Sequence, residues 1–248
     1  MFTRTLSTIA AALPTALKYR IAWLKPLYTS AMAWQEATVR VETRAGTLNW
    51  HMDDYASQSY VRGSYEPYMQ ESFLKFVHPR AIVYDVGSHV GFHALFCGLL
   101  VGPSGRVIAF EPDPHCRASL GRQVAANPNL RLEVLPYAVS DQCGPLLLDT
   151  SKGCSQARLH AGGSCRVEAR TLDFLVQQAG FPPPHIVKID VEGHEASVLK
   201  GAQNVLARHK PIILCDYNDD STLQMGKEIL EPLGYRVGSG PPVTAVPF

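Results

Sequence analysis

The stretch Ala81-Ile82-Val83-Tyr84-Asp85-Val86-Gly87-Ser88-His89-Val90-Gly91 decides the fold. Its first six residues form a short, nearly continuous apolar run of the kind buried on both faces of a parallel sheet. The glycines that follow allow the chain to turn sharply, and a helical pattern over 91–100 leads away until Gly102-Pro103 breaks it. The same alternation repeats downstream. Strands are expected over 106–110, 132–139, 186–190 and 212–215, and helices over 114–126, 172–179 and 195–208. Residues 146–148 and 165–169 form an inserted hairpin in this reading. Strands separated by single helices predict right-handed crossovers and one α/β, doubly wound, mostly parallel sheet. In such a sheet a ligand binds at the carboxyl ends of the strands.

Before the alternation, residues 38–43 and 47–52 alternate polar and apolar positions around Gly46, which predicts a hairpin. A helix after Tyr65-Glu66-Pro67 would present Tyr68, Phe73, Phe76 and Val77 on one face, and Pro79 stops it. After Pro241-Pro242, residues 243–246 form a last short strand. Residues 1–50 hold six basic residues and two acidic ones, with Ile9, Leu13, Leu17, Ile21 and Leu24 at near-helical spacing. Three readings of that segment compete: a signal peptide, disfavoured by Lys18, Arg20 and Lys25; a helix lying on an anionic membrane surface; and a helix docked on the chain's own core or on a second subunit of a homo-oligomer.

The bulk composition narrows the function. With 23 Lys plus Arg against 22 Asp plus Glu, the formal net charge is +1, which argues against nucleic acid as a partner. No apolar run approaches the ~20 residues that span a bilayer. Six cysteines without a CxxC pair give no zinc pattern, and six reduced thiols in a cytoplasmic protein are expected.

The strand ends carry the chemistry. The first turn has G-x-x-x-G in place of the G-x-G-x-x-G of a dinucleotide fold. Asp85 there would repel a pyrophosphate and suit a cationic ligand, and S-adenosylmethionine, with an ammonium, a sulfonium and no phosphate, fits. The second strand ends in Phe110-Glu111-Pro112-Asp113-Pro114, and an acid at that spacing can accept hydrogen bonds from both ribose hydroxyls. The fourth ends in Lys188-Ile189-Asp190-Val191-Glu192-Gly193-His194-Glu195, too many ionisable groups in one place for helix capping alone.

Taken in order, six pieces of sequence resemble the FkbM-type methyltransferases. They are Asp85-Val86-Gly87 with Val90-Gly91-Phe92, Ala109 to Pro114, Ala138-Val139-Ser140-Asp141, Thr171-Leu172-Asp173, Lys188 to Gly193 with Ala196, and Val198-Leu199-Lys200-Gly201-Ala202. The resemblance spans residues 65–217. It implies a class I, seven-stranded methyltransferase sheet, placed here over 65–248; the helix-and-hairpin extension over 1–64 is read from the residues, and the first fifty match nothing in that family. It also implies S-adenosylmethionine as cofactor and O-methylation of a hydroxyl on a sugar, glycan or natural-product small molecule. By the same likeness, Asp85, Gly87 and Gly91 surround the methionine part of the donor and Glu111 the ribose. Ala138, Val139 and Ser140 flank the adenine, Asp190 faces the transferring methyl, and Glu66, after Tyr65, closes over the donor. Ser88-His89 stands where Ala-Asn is common in the glycine loop, which would make donor binding pH-sensitive through His89. Asp216 stands where a Glu often ends the fifth strand.

A sugar hydroxyl must lose its proton near the transition state. Asp190 is the first candidate base, with donor binding through the ammonium as its alternative role. His194 and Glu192 come next, and Lys188 would orient Asp190. Asp190, Asp216 and Asn218 offer hard oxygen ligands suited to Mg²⁺, but the pattern fixes no third carboxylate and no metal is expected. His89, His93 and His185 are each more simply read as structural. An NAD-dependent oxidoreductase and a non-catalytic nucleoside-binding scaffold are the alternatives in other classes.

Overall fold

The computed structural model describes residues 38–53, 57–151, 158–160, 162–217 and 219–248. The helix expected near the amino end, with its membrane-surface and subunit-docking readings, falls in residues 1–37, outside the described residues. The hairpin is present as β1 (Thr38–Thr43) and β2 (Gly46–His51), antiparallel, with Val41 paired to Leu48 and Val39 to Trp50. The alternation of its side chains buries Val41, Leu48 and Trp50. These pack with Tyr60 of the short helix α1 (Gln58–Val61). Helix α2 (Pro67–Phe76) begins with proline at a position where its missing N–H costs nothing. Its buried face is Met69, Gln70 and Phe73, so of the expected face only Phe73 and the following Val77 are fully covered, while Tyr68 and Phe76 lie at the margin.

The central alternation then runs β3 (Ile82–Val86), α3 (Phe92–Val101), β4 (Arg106–Phe110), α4 (Pro114–Ala126) and β5 (Leu132–Leu135). It continues with β6 (Tyr137–Val139), β7 (Gly144–Asp149), β8 (Arg158–Leu159), β9 (Cys165–Arg170), α5 (Leu172–Gln177), β10 (Ile186–Ile189), α6 (Glu195–Lys200), α7 (Gln203–His209) and β11 (Ile212–Cys215). Helix α8 (Asp220–Leu230), a short 3₁₀ turn (Glu231–Leu233), β12 (Tyr235–Val237) and β13 (Val243–Pro247) close the chain.

Seven strands form one sheet in the order β12-β13-β11-β10-β3-β4-β5. Strands β11, β10, β3, β4 and β5 are parallel neighbours, and β13 runs antiparallel between β11 and β12. The class I sheet expected from the resemblance is therefore the observed one. The chain leaves β3 toward β4 on one side and enters β10 and β11 on the other. The crevice thus opens at the carboxyl ends of β3 and β10. Both faces are covered, as the apolar runs require. Tyr84, Val86, Ile108, Phe110, Val187 and Ile189 pack toward α5–α8, and Val83, Val107, Ala109, Ile186 and Leu214 toward α2 and α3.

Two expected elements are broken in two. The strand over 132–139 splits at Pro136, and β6 leaves for a second sheet of order β6-β9-β7-β8, which contains the expected hairpin as the antiparallel pair β7–β9. The helix over 195–208 splits at Gly201, where an added Cβ would lie 2.0 Å from Ser140 O. Asp173 restarts the chain as α7 by accepting from the backbone N–H groups of Asn204 and Val205. The cysteine expectation also fails at one position: Cys97, Cys143, Cys165 and Cys215 are free, but Cys116 is disulfide-bonded. Reduced thiols therefore no longer argue for a cytoplasmic setting.

Helix α4 fastens the hairpin to the sheet through two side-chain amides one turn apart. Gln123 accepts from His51 N and donates to His51 O; Asn127 accepts from Asn49 N and donates to Asn49 O. The main-chain groups of these two β2 residues face away from β1, and the two amides stand in for a third strand.

Candidate active site

A cavity of about 400 Å³ lies at the carboxyl ends of β3, β4, β10 and β11. Of the residues expected there, Glu66, Gly87, His89, Glu111, Ala138, Val139, Asp190, Glu192 and His194 line it. Ser88, Gly91 and Lys188 reach only a small side pocket beneath it, and Asp85 and Ser140 line neither.

The turn after β3 is built by packing against protein. Gly87 has φ +77° and its Cβ position is 1.9 Å from Asp190 O; Gly91 has φ +94° and its Cβ position is 2.2 Å from a Leu120 methyl. Neither site accepts a side chain, because the loop lies directly on the end of β10 and α3 on α4.

Asp85 is the main correction. It is 1% exposed and lies across the sheet from Lys188, its register partner, whose Nζ is 3.1 Å from its Oδ1. Lys188 is 2% exposed, donates to Gly87 O at 2.7 Å and stands 3.4 Å from Asp190 Oδ2. Burial opposes its charge, but Asp85 and Asp190 outweigh that and raise its pKa, so it is a permanent cation. Asp85 therefore cannot meet a ligand, and Lys188 serves as a strut under the turn, not as a proton-transfer group. A buried pair of this kind is costly to break from one side.

Glu111, 6% exposed, accepts from His89 N at 2.7 Å and from Asp113 N at 2.8 Å, one backbone donor to each oxygen. Burial pushes its carboxyl up to about 8, against these two hydrogen bonds. Asp113 in turn caps α4 by accepting from His115 N and Cys116 N. The caps hold the loop, and the loop holds Glu111 at the cavity edge. His89 reaches its place with a left-handed backbone, φ +50°, and its Nδ1 lies 3.4 Å from Tyr60 Oη. Burial lowers the His89 pKa, which moves its titration to the acid side of the ordinary imidazole range.

The wall opposite is acidic. Asp190, Glu66, Glu192 and Asp216 all line the cavity. Glu66 sits at the start of α2 with φ +41°, hydrogen-bonds Tyr65, and has Oε2 3.6 Å from His93 Nε2. Burial raises Glu66 and drives buried His93 far below its usual pKa, so His93 is neutral there. Asp216 Oδ2 accepts from Tyr68 Oη at 3.0 Å, and burial, with Asp190 adding to it, raises its pKa. The cationic character of the ligand expected from Asp85 is thus favoured by a different set of carboxyls.

Ala138 and Val139 line the cavity from β6, joined by Tyr137 of the same strand and by Leu148 and Leu159 from β7 and β8 of the same second sheet. Ser140, expected with them, is 0% exposed and faces away; its Oγ is 2.9 Å from His194 Nε2. Tyr60, Tyr137, Leu148, Leu159 and Tyr217 also line the cavity without having been singled out from the sequence. For Leu148 and Leu159 no local signal existed, since only the folding of the insertion brings them over the strand ends. Among the described residues no group of three or more His, Cys, Asp or Glu is arranged to hold a metal ion, and Asn218 lies outside them.

Known proteins with similar sequences are methyltransferases. Hexuronic acid methyltransferase AglP of Haloferax volcanii is 33% identical over 127 residues, covering 50% of this chain and 51% of that protein. 2-O-methyltransferase NoeI of Sinorhizobium fredii is 26% identical over 165 residues, 57% of this chain and 65% of that protein. The chain thus spans about half the length of the first relative and just under two thirds of the second. A crystal structure of Methyltransferase FkbM from Methylobacillus flagellatus KT shares 17% identity and a TM-score of 0.49 over 77% of this chain and 55% of that one. The Methyltransferase FkbM domain matches residues 85–237, from the middle of β3 to the end of β12. That match contains the glycine turn, Glu111, Asp190 and His194 in one continuous domain and displaces the oxidoreductase alternative: the chain belongs to the FkbM methyltransferase family.

Proposed function

We propose that this chain transfers a methyl group from S-adenosylmethionine to a hydroxyl of a sugar, glycan or other small natural product. The observation that carries the reading is Glu111. When ionised, as ligand hydroxyls donating to it favour, each of its oxygens takes one backbone N–H and keeps a lone pair for a ligand, at the edge of a cavity of nucleoside size. Two vicinal ribose hydroxyls are the matching donors. When bound, the cofactor supplies an activated methyl on a positively charged sulfur. Ala138, Val139, Tyr137, Leu148 and Leu159 would enclose its adenine, and Asp190 and Glu66 would face its cationic methionine end. Opposite charges at close range favour such a ligand over a phosphorylated one. Asp190, with one oxygen beside Lys188, is assigned to the donor here. Tyr60 and Tyr65 close the wall, and holding both reactants in line away from water is worth ~7–11 kcal/mol when geometry is good. The names of the two relatives, one acting on a hexuronic acid and one a 2-O-methyltransferase, support a sugar acceptor.

Calorimetric titration with S-adenosylmethionine tests the reading. Micromolar affinity is expected for the unaltered chain and a loss of tenfold or more in Glu111→Ala. Absent binding, or binding indifferent to that substitution, overturns it.

A further inference from the structure

Ser140 and His194 come from separate segments of the chain, one after β6 and the other before α6. The hydroxyl of Ser140 donates to Asp141 Oδ1 at 3.1 Å, and a carboxylate oxygen only accepts. A hydroxyl has one hydrogen. With that hydrogen on Asp141, Ser140 Oγ meets His194 Nε2, 2.9 Å away, as an acceptor. In that arrangement Nε2 carries the ring proton, and in a neutral imidazole the second nitrogen, Nδ1, is then a bare acceptor. His194 lines the cavity, next to Asp190 and Glu192 on its own loop and Asp216 and Tyr217 from the end of β11. Burial lowers its pKa while Asp141 opposes that, which keeps the ring neutral near pH 7.

The geometry points to His194 as the general base of the transfer, with Ser140 and Asp141 as positioning residues that fix its tautomer. This rests on the methyltransferase reading. As the new O–C bond forms, the acceptor hydroxyl gives its proton to His194 Nδ1. The C–S bond breaks with its electron pair left on sulfur, which becomes a neutral thioether. The positive charge lost by sulfur reappears on the imidazolium, next to Ser140 and Asp141, and leaves with the proton to solvent. Asp190 remains with the donor, and Asp216 already accepts the Tyr68 hydroxyl.

Nitrogen-15 NMR of the imidazole groups in the full, ligand-free chain, with His194→Gln assigning the resonance, reads the tautomer directly. The Nε2–H form is expected; the Nδ1–H form overturns the inference. Calorimetry with S-adenosylmethionine should give His194→Gln and Ser140→Ala affinities within about twofold of the unaltered chain. Loss of donor affinity in both overturns the base role by making the pair part of the donor site. With a methyl glycoside that the unaltered chain methylates, His194→Gln should lower kcat by ~10²-fold or more and flatten the acidic limb of the pH–rate profile. Ser140→Ala should lower kcat with little change in KM. Undiminished kcat in His194→Gln overturns the assignment. Failure of the unaltered chain to bind S-adenosylmethionine at all would instead strike the methyltransferase reading and leave the tautomer untouched.

Discussion

Replacing Glu111 by Gln should uncouple stability from donor binding, and the effect has a sign that pH exposes. Burial pushes the Glu111 carboxyl up to about 8 in the fold, from an ordinary 4.5. The folded chain therefore holds a proton that the unfolded chain releases. Its contribution to stability is complete below the unfolded value, drains as pH rises, and is gone once pH passes the folded value. At ~1.4 kcal/mol per unit, the wild-type chain should lose ~3–4 kcal/mol from this one group between about pH 5 and pH 8. Glutamine does not titrate. It does set an amide NH₂ against either His89 N or Asp113 N, a mismatch of ~1–3 kcal/mol that pH leaves unchanged. The variant should thus be the less stable protein near pH 5 and match or exceed the wild type near pH 8, with donor affinity weakened at both. Urea unfolding at a series of pH values measures the difference. A gap between the two proteins that stays constant within ~0.5 kcal/mol would refute the burial argument for Glu111.

Other substitutions probe the supports of the site. Gly87→Ala places a methyl against Asp190 O in a left-handed backbone and should cost ~2–4 kcal/mol in thermal or urea unfolding. Gly121→Ala, in α4 with open space around it, should instead stabilise by ~0.5–1 kcal/mol, and a loss there would show the helix assignment wrong. Lys188→Met strands Asp85 without its cation and should cost ~3–5 kcal/mol; adding Asp85→Asn should restore a good part, and strict additivity would deny the pair. Gln123→Ala leaves His51 N and O without their amide partner and should cost ~1–3 kcal/mol, with faster hydrogen exchange confined to the hairpin.

The parallel strands were legible because their apolar runs are short, β-branched and bounded by glycine, proline or acids, as at β3 and β4. The place of Glu111 at the end of β4, on the cavity edge, was legible from the Glu-Pro-Asp-Pro that follows the apolar run. Asp85 was not. Its role depends on Lys188 standing opposite in register, 103 positions away, and nothing near either residue signals that the lysine is swallowed by the sheet. Pro136 and Gly201 were visible breaks within runs that hydrophobic periodicity joined together. Helix α8 and β12 were passed over, although Asp219 and Thr222 form a capping box before the apolar positions Leu223, Ile229 and Leu230. The second sheet could not be placed, because strand pairing over long separations is decided by tertiary packing rather than local preference.

The two amides that α4 extends toward β2 have a bearing on how the molecule behaves in company. A two-stranded ribbon near the front of a chain is ordinarily an invitation to pair with a stranger, through the open main-chain groups along its rim. Here that rim is occupied at Asn49 and His51 by groups from the chain's own helix. A sliding neighbour finds no template at those positions, and a slip of one residue in the ribbon itself would forfeit four hydrogen bonds together, so the helix acts both as a guard against fibre-like association and as a lock on the ribbon's alignment.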